Sequence, residues 1–107
     1  MDLSEKKCVP CEGGVAKMKP EEIKKYNARL KTPWEVQDDM KIRRTFEFDN
    51  FKETMKFVNQ IADLAEEEGH HPVMHVFYGK VEVEFWTHAI MGLSENDFIM
   101  AAKIEEL

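Results

Sequence analysis

Between Asp49 and Pro72 the sequence leaves little choice of structure. Phe51, Met55, Val58, Ala62 and Ala65 recur at alternating steps of four and three, and Phe57, Ile61 and Leu64 widen the stripe. That is the spacing of an amphipathic helix with one face in a core. Asp49 is placed to cap it. The helix runs into Glu66-Glu67-Glu68, where negative charge opposes the C-terminal end of the dipole. It stops at Gly69, the residue that most readily takes the left-handed terminating conformation. Pro72 pushes His71 into extended geometry. The pair His70-His71 therefore sits at a helix-to-strand junction, where two adjacent side chains escape the opposite-face rule of a regular strand.

Alternation on either side of this helix predicts strands. From Lys41 to Phe48, Ile42, Phe46 and Phe48 share one side with Lys41, Arg43, Thr45 and Glu47 on the other; Arg44, on the apolar side, is the one misfit. Met74–Tyr78 and Lys80–His88 flank Gly79 as a hairpin. In its second strand Val81, Val83, Phe85 and Thr87 alternate with Glu82, Glu84, Trp86 and His88. Pro20-Glu21-Glu22 opens an earlier helix carrying Ile23, Tyr26 and Leu30, ended by Thr32-Pro33. Trp34-Glu35-Val36 is a short extended segment before a turn at 37–39. Ser94 and Asp97 form a capping box, with Leu93 and Phe98 as its hydrophobic staple, for a last helix reaching about Ile104. The order α-β-β-α-β-β-α, with strands in adjacent pairs, predicts an α+β fold: a four-stranded antiparallel sheet with helices packed on one face.

A chain of 107 residues suits one domain over residues 1–107, with residues 1–19 expected as an N-terminal loop segment. No apolar run approaches the ~20 residues of a membrane span, and the first residues lack the apolar stretch of an export signal. A net charge of −6 argues against general nucleic-acid backbone binding. Lys41, Arg43 and Arg44 form the one basic cluster near a strand and read as a solvated face. Cys8 and Cys11 are the only cysteines. A zinc half-site would lack its second pair, and a redox pair would lack a βαβ context, so Pro10 and Gly13-Gly14 favour a structural turn. Two cysteines and no signal segment point to a reducing cytoplasm.

All four histidines fall between Glu66 and Asp97. Imidazole both gives and takes protons near neutrality, so such a cluster suits acid–base work or metal binding. Each member has an ordinary reading too: His70 and His71 as a polar helix terminus, His88 as an exposed strand end, His75 as a strand residue. Glu66, one helical turn before His70, can orient an imidazole or be one more solvated acid. Asp97 is explained first as the helix cap. Tyr78, an aromatic wall or core residue, and Trp86 are the candidate substrate-binding rings. For a metal, adjacent His-His is a poor ligand template.

The spacing Glu66-x3-His70-His71-Pro72-x5-Tyr78-x9-His88-x8-Asp97 resembles the signature of the pterin-4a-carbinolamine dehydratases. Thr87-His88-Ala89-Ile90, Gly92-Leu93-Ser94-Glu95-Asn96-Asp97-Phe98 and the N-terminal Cys8-x-x-Cys11-Glu12-Gly13-Gly14 are similar to that family's microbial branch. The resemblance implies dehydration of a 4a-hydroxytetrahydropterin in tetrahydropterin recycling. It implies His70, His71 and His88 as the catalytic set, Glu66 and Asp97 in support, no redox cofactor, no metal, and a homodimer or homotetramer. Family members also serve as dimerisation cofactors of transcription factors or as assembly factors, so a binding module is the competing class. After Pro72 this chain has Val73 and Met74 where animal relatives often place an acid and an aromatic. The pocket wall is thereby more apolar, and tetrahydrobiopterin, a tetrahydrofolate-like pterin and a molybdopterin-related compound all remain open as substrates.

Overall fold

The computed structural model describes residues 2–9 and 16–107; Cys11 and the glycine pair after it lie outside the described residues. Three α-helices, α1 (Pro20–Asn27), α2 (Phe51–Glu68) and α3 (Glu95–Ile104), accompany four strands, β1 (Glu35–Gln37), β2 (Lys41–Glu47), β3 (Val73–Val76) and β4 (Lys80–Phe85). The strands form one sheet in the order β1-β2-β4-β3, every neighbouring pair antiparallel. This is the α+β architecture that the alternation and pairing signals predict.

Register explains which side chains go inward. Ile42 stands opposite Phe85, and Phe46 opposite Val81, so these residues and Val83 make one apolar face. Against it lie Phe57, Val58, Ile61 and Ala65 of α2 and Phe98 to Ala102 and Ile104 of α3. Every residue of α3 from Asn96 to Ala102 is buried, as befits a helix covered on all sides. The misfit Arg44 is explained by a distant partner. Its guanidinium donates to Glu105 Oε2 at 3.1 Å, and the same carboxylate accepts from the backbone N–H groups of Lys31 and Thr32, at 3.0 Å each. Arg44 thus ties the sheet to the end of α3 and to the α1–β1 connection.

Several boundaries differ from the sequence expectation. The cap of α2 is Asn50, whose side chain accepts from Glu53 N–H at 2.8 Å, and not Asp49. Phe51 is half exposed because the buried stripe runs through Thr54, Phe57, Val58, Ile61 and Ala65. The strand β4 stops at Phe85, and the chain enters a 3-10 turn at His88–Ile90. β2 begins at Lys41, so beyond Phe85 little of β2 remains to pair with. Gly69 terminates α2 with φ 68°, its N–H donating to Ala65 C=O, as the Gly69 signal predicts.

The N-terminal segment carries more structure than a loop. Leu3–Glu5 form a 3-10 turn with Leu3 buried, and the chain then crosses both the end of α2 and the start of α3. Cys8 N–H donates to Glu68 Oε1 at 2.9 Å. Val9 and the Asn96 amide exchange two hydrogen bonds, Val9 N–H to Oδ1 at 3.0 Å and Nδ2–H to Val9 C=O at 2.6 Å. Lys6 pairs with Glu95 at 2.9 Å; this ammonium is the main reason the Glu95 carboxyl is held below its usual range, with the Tyr26 hydroxyl assisting. Asn96→Ala is expected to cost about 1–2 kcal/mol in chemical denaturation, from two lost hydrogen bonds at a buried residue. An unchanged midpoint would show that this clasp contributes nothing to the fold.

Candidate functional site

The α2–β3 junction lies beside the C-terminal end of β4 because Val73 pairs with Glu84. One register choice therefore brings His70 and His71 next to the segment Phe85–His88. The left-handed turn at Gly69 sends the two imidazoles in different directions. His70 turns inward: its ring stacks on Phe85, with centroids 5.8 Å apart and planes 9° from parallel, and its side chain is 12% exposed. His71 stays at the surface.

His70 Nε2 lies 2.6 Å from Asp97 Oδ1. Since a carboxylate here can only accept, His70 donates through Nε2 and its Nδ1 is the ring's remaining nitrogen. Asp97 is completely buried. Its second oxygen accepts from Thr87 Oγ1 at 2.8 Å and from Ser94 N–H at 2.9 Å. Thr87 and Ser94 hydroxyls are 2.7 Å apart; with the Thr87 proton committed to Asp97, Ser94 donates to Thr87. Asp97 is therefore the reciprocating acid of the capping box, accepting from the N–H of the N-cap Ser94 as expected, and also the residue that fixes the tautomer and tilt of His70. The local motif accounts for only the first of these.

Glu66 bonds a different imidazole from the one its helical spacing suggests. Its Oε2 accepts from His71 Nε2 at 2.5 Å, and both side chains are exposed at 59% and 79%. The i to i+4 relation holds inside a helix, and Gly69 breaks it before His70. His88 begins the 3-10 turn, exposed, its ring stacked on Trp86 with centroids 4.4 Å apart. It follows directly on Thr87, so the carboxylate that holds His70 also holds the side chain of the residue beside His88.

Around the junction the contacts form separate pairs: His70 with Asp97 and Phe85, His71 with Glu66, and Trp86 with His88, the last two residues flanking Thr87, which also bonds Asp97. Tyr78 does not join them. It is 69% exposed at the tip of the β3–β4 hairpin, and its carbonyl accepts from Thr54 Oγ1 in the first turn of α2. Thr54 and Glu68 stand fourteen positions apart on the helix, roughly 21 Å at 1.5 Å per residue. Tyr78 is therefore neither core nor wall of this site within the chain. His75, an exposed strand residue, approaches the buried Glu84 at 3.3 Å. Thr87 has no assigned role in the sequence reading. Its position immediately before His88 was visible, but its bond to Asp97 depends on tertiary packing. Among the described residues no group of three or more His, Cys, Asp or Glu side chains is gathered as a metal set.

Chemically, the site offers one imidazole locked on a buried carboxylate, one exposed imidazole with a carboxylate, and a third held by an aromatic ring. That combination suits moving protons at two positions of one small molecule.

A profile of the family described as "Pterin 4 alpha carbinolamine dehydratase" matches residues 16–107. A protein of Rickettsia canadensis, provisionally named pterin-4-alpha-carbinolamine dehydratase, is 50% identical over 103 residues, spanning 96% of this chain and 94% of its own. The crystal structure of a "transcriptional coactivator/pterin dehydratase" from Brucella melitensis superposes with a TM-score of 0.78 at 31% identity, covering 84% of this chain and 96% of that one. A pterin dehydratase-like protein, described as a RuBisCO assembly factor in the alpha-carboxysome, shares the fold with a TM-score of 0.60 at 23% identity, over 68% of this chain and 86% of that one.

Proposed function

The chain belongs to the pterin 4 alpha carbinolamine dehydratase family, and we propose that it removes water from a 4a-hydroxytetrahydropterin to give the quinonoid dihydropterin. In this reaction the C4a–O bond breaks, the departing hydroxyl takes a proton and leaves as water, and N5 gives up its proton as the C4a=N5 bond forms. Substrate and products balance without an oxidant or reductant. The observation that carries this reading is the His70–Asp97 pair, an imidazole oriented by a completely buried carboxylate.

His70 and His88 serve as the acid–base pair, with Asp97 holding His70 in one tautomer. His71, supported by Glu66 at the exposed rim, positions or polarises the substrate. The reading includes tetrahydropterin recycling, a cytoplasmic setting and self-association as a dimer or tetramer, without nucleic acid or membrane as partner. A binding-module role has its own support in the relatives described as a transcriptional coactivator and as an assembly factor. Neither role requires three oriented imidazoles, and this favours the enzyme.

Freshly generated 4a-hydroxytetrahydropterin, followed by stopped-flow absorbance, is expected to dehydrate faster with the protein than in buffer. The acceleration is expected to survive dialysis against a chelator. No acceleration over buffer would end the enzymatic reading and leave the binding module.

A further inference from the structure

Each of the three histidines at the junction is oriented by something different. His70 has Asp97 and His71 has Glu66. The His88 imidazole has no hydrogen-bond or ion-pair partner among the described residues; the contact on its exposed ring is the Trp86 indole, 4.4 Å away and tilted by 30°. An exposed imidazole turns about two side-chain bonds, and a proton-transfer group must be held near its working geometry to act.

Trp86 is itself held. Lys41 Nζ lies 4.7 Å from the centroid of its ring, a distance at which an ammonium is attracted to an indole face. Sheet register is the reason. Ile42 pairs with Phe85, so Lys41 at the start of β2 stands opposite Trp86 just past β4, and both project from the face opposite the core. From sequence Lys41 belongs to the basic cluster that reads as a solvated face, and Trp86 is a candidate substrate-binding ring.

We propose that Lys41 and Trp86 are positioning residues for His88: the Lys41 ammonium fixes the indole across β2 and β4, and the indole fixes the imidazole. The proposal rests on the reading above that His88 acts in proton transfer. Trp86 then acts through His88 and not as a surface for the substrate. The two roles have opposite kinetic signatures, because losing a positioned acid or base lowers kcat whereas losing a wall raises KM.

The test has an arm that needs no turnover. In substrate-free protein, the His88 ring protons are expected upfield of their unperturbed positions because they lie in the indole ring current. Trp86→Leu should abolish that displacement, Trp86→Phe should keep much of it, and Lys41→Met should reduce it. In the dehydratase assay Trp86→Leu is expected to lower kcat roughly tenfold with KM nearly unchanged, Trp86→Phe to recover most of it, and Lys41→Met to lose roughly threefold, the scale of one exposed cation–π contact. His88 signals that are unperturbed in the wild type, or insensitive to both Trp86→Leu and Lys41→Met, would overturn the proposal. So would a change in KM alone. A wild-type protein that shows the ring-current shift but no dehydration would instead sink the dehydratase reading, leaving the stack as a structural contact only.

Discussion

Alanine at His88 is expected to lower turnover by at least ~10²-fold while barely moving the unfolding midpoint. That is the usual scale for a lost acid or base, and the side chain is exposed at the start of a 3-10 turn, so no packed volume is opened. His71→Ala should behave similarly, since its ring and its Glu66 partner are both exposed. His70→Ala differs. It removes a ring that stacks on Phe85 and leaves the buried Asp97 without one of its donors, so it should cost about 1–3 kcal/mol of stability as well as turnover. The double change of His70 and His88 to Ala should fall below either single change, because one imidazole can no longer cover for the other.

The second large effect belongs to Asp97, where fold and chemistry meet. Asp97→Ala leaves Ser94 N–H, Thr87 Oγ1–H and His70 Nε2–H without their common acceptor at a completely buried position. The expected cost is about 3 kcal/mol, combining a lost cap with unsatisfied buried donors. Turnover of the folded fraction should also drop roughly tenfold or more, since His70 loses its orientation. Asp97→Asn separates the two roles. Its amide oxygen can still accept at the cap, but one carboxylate acceptor is replaced by an N–H₂ donor. Stability should therefore recover further than turnover. Denaturation of both variants beside their turnover per folded molecule checks this. If both variants lose stability but keep full turnover, Asp97 is a cap and nothing more.

What could be read from the sequence was what short-range physics decides. The α2 stripe, its stop at Gly69, the capping box at Ser94 and the hairpin at Gly79 each rest on residues within a few positions of one another, and each is present. Asp49 reads as a cap from sequence, whereas Asn50 caps the helix, because adjacent Asx residues give the same local signal. The end of β4 was placed at His88 because side-chain alternation continues through buried Thr87, whereas pairing depends on a partner strand and ends at Phe85. The site divides in the same way. The histidines and Glu66 stand out in the sequence by their spacing. Their pairings do not: His70 meets a carboxylate 27 positions away, and Glu66 meets His71 because the left-handed turn at Gly69 redirects the chain. Tyr78 lies close to the histidines in sequence, but the hairpin carries it to the other end of α2.

In the proposed mechanism these imidazoles move protons and do not merely hold the junction together. The direct test is to measure turnover and denaturant midpoint on the same preparations of the wild type, His71→Ala, His88→Ala and the His70/His88 double alanine variant. His71→Ala and His88→Ala are expected to keep the wild-type midpoint and lose at least ~10²-fold in turnover, with the double variant slower still per folded molecule. Activity that falls only in step with the folded fraction would contradict it and make the histidines structural.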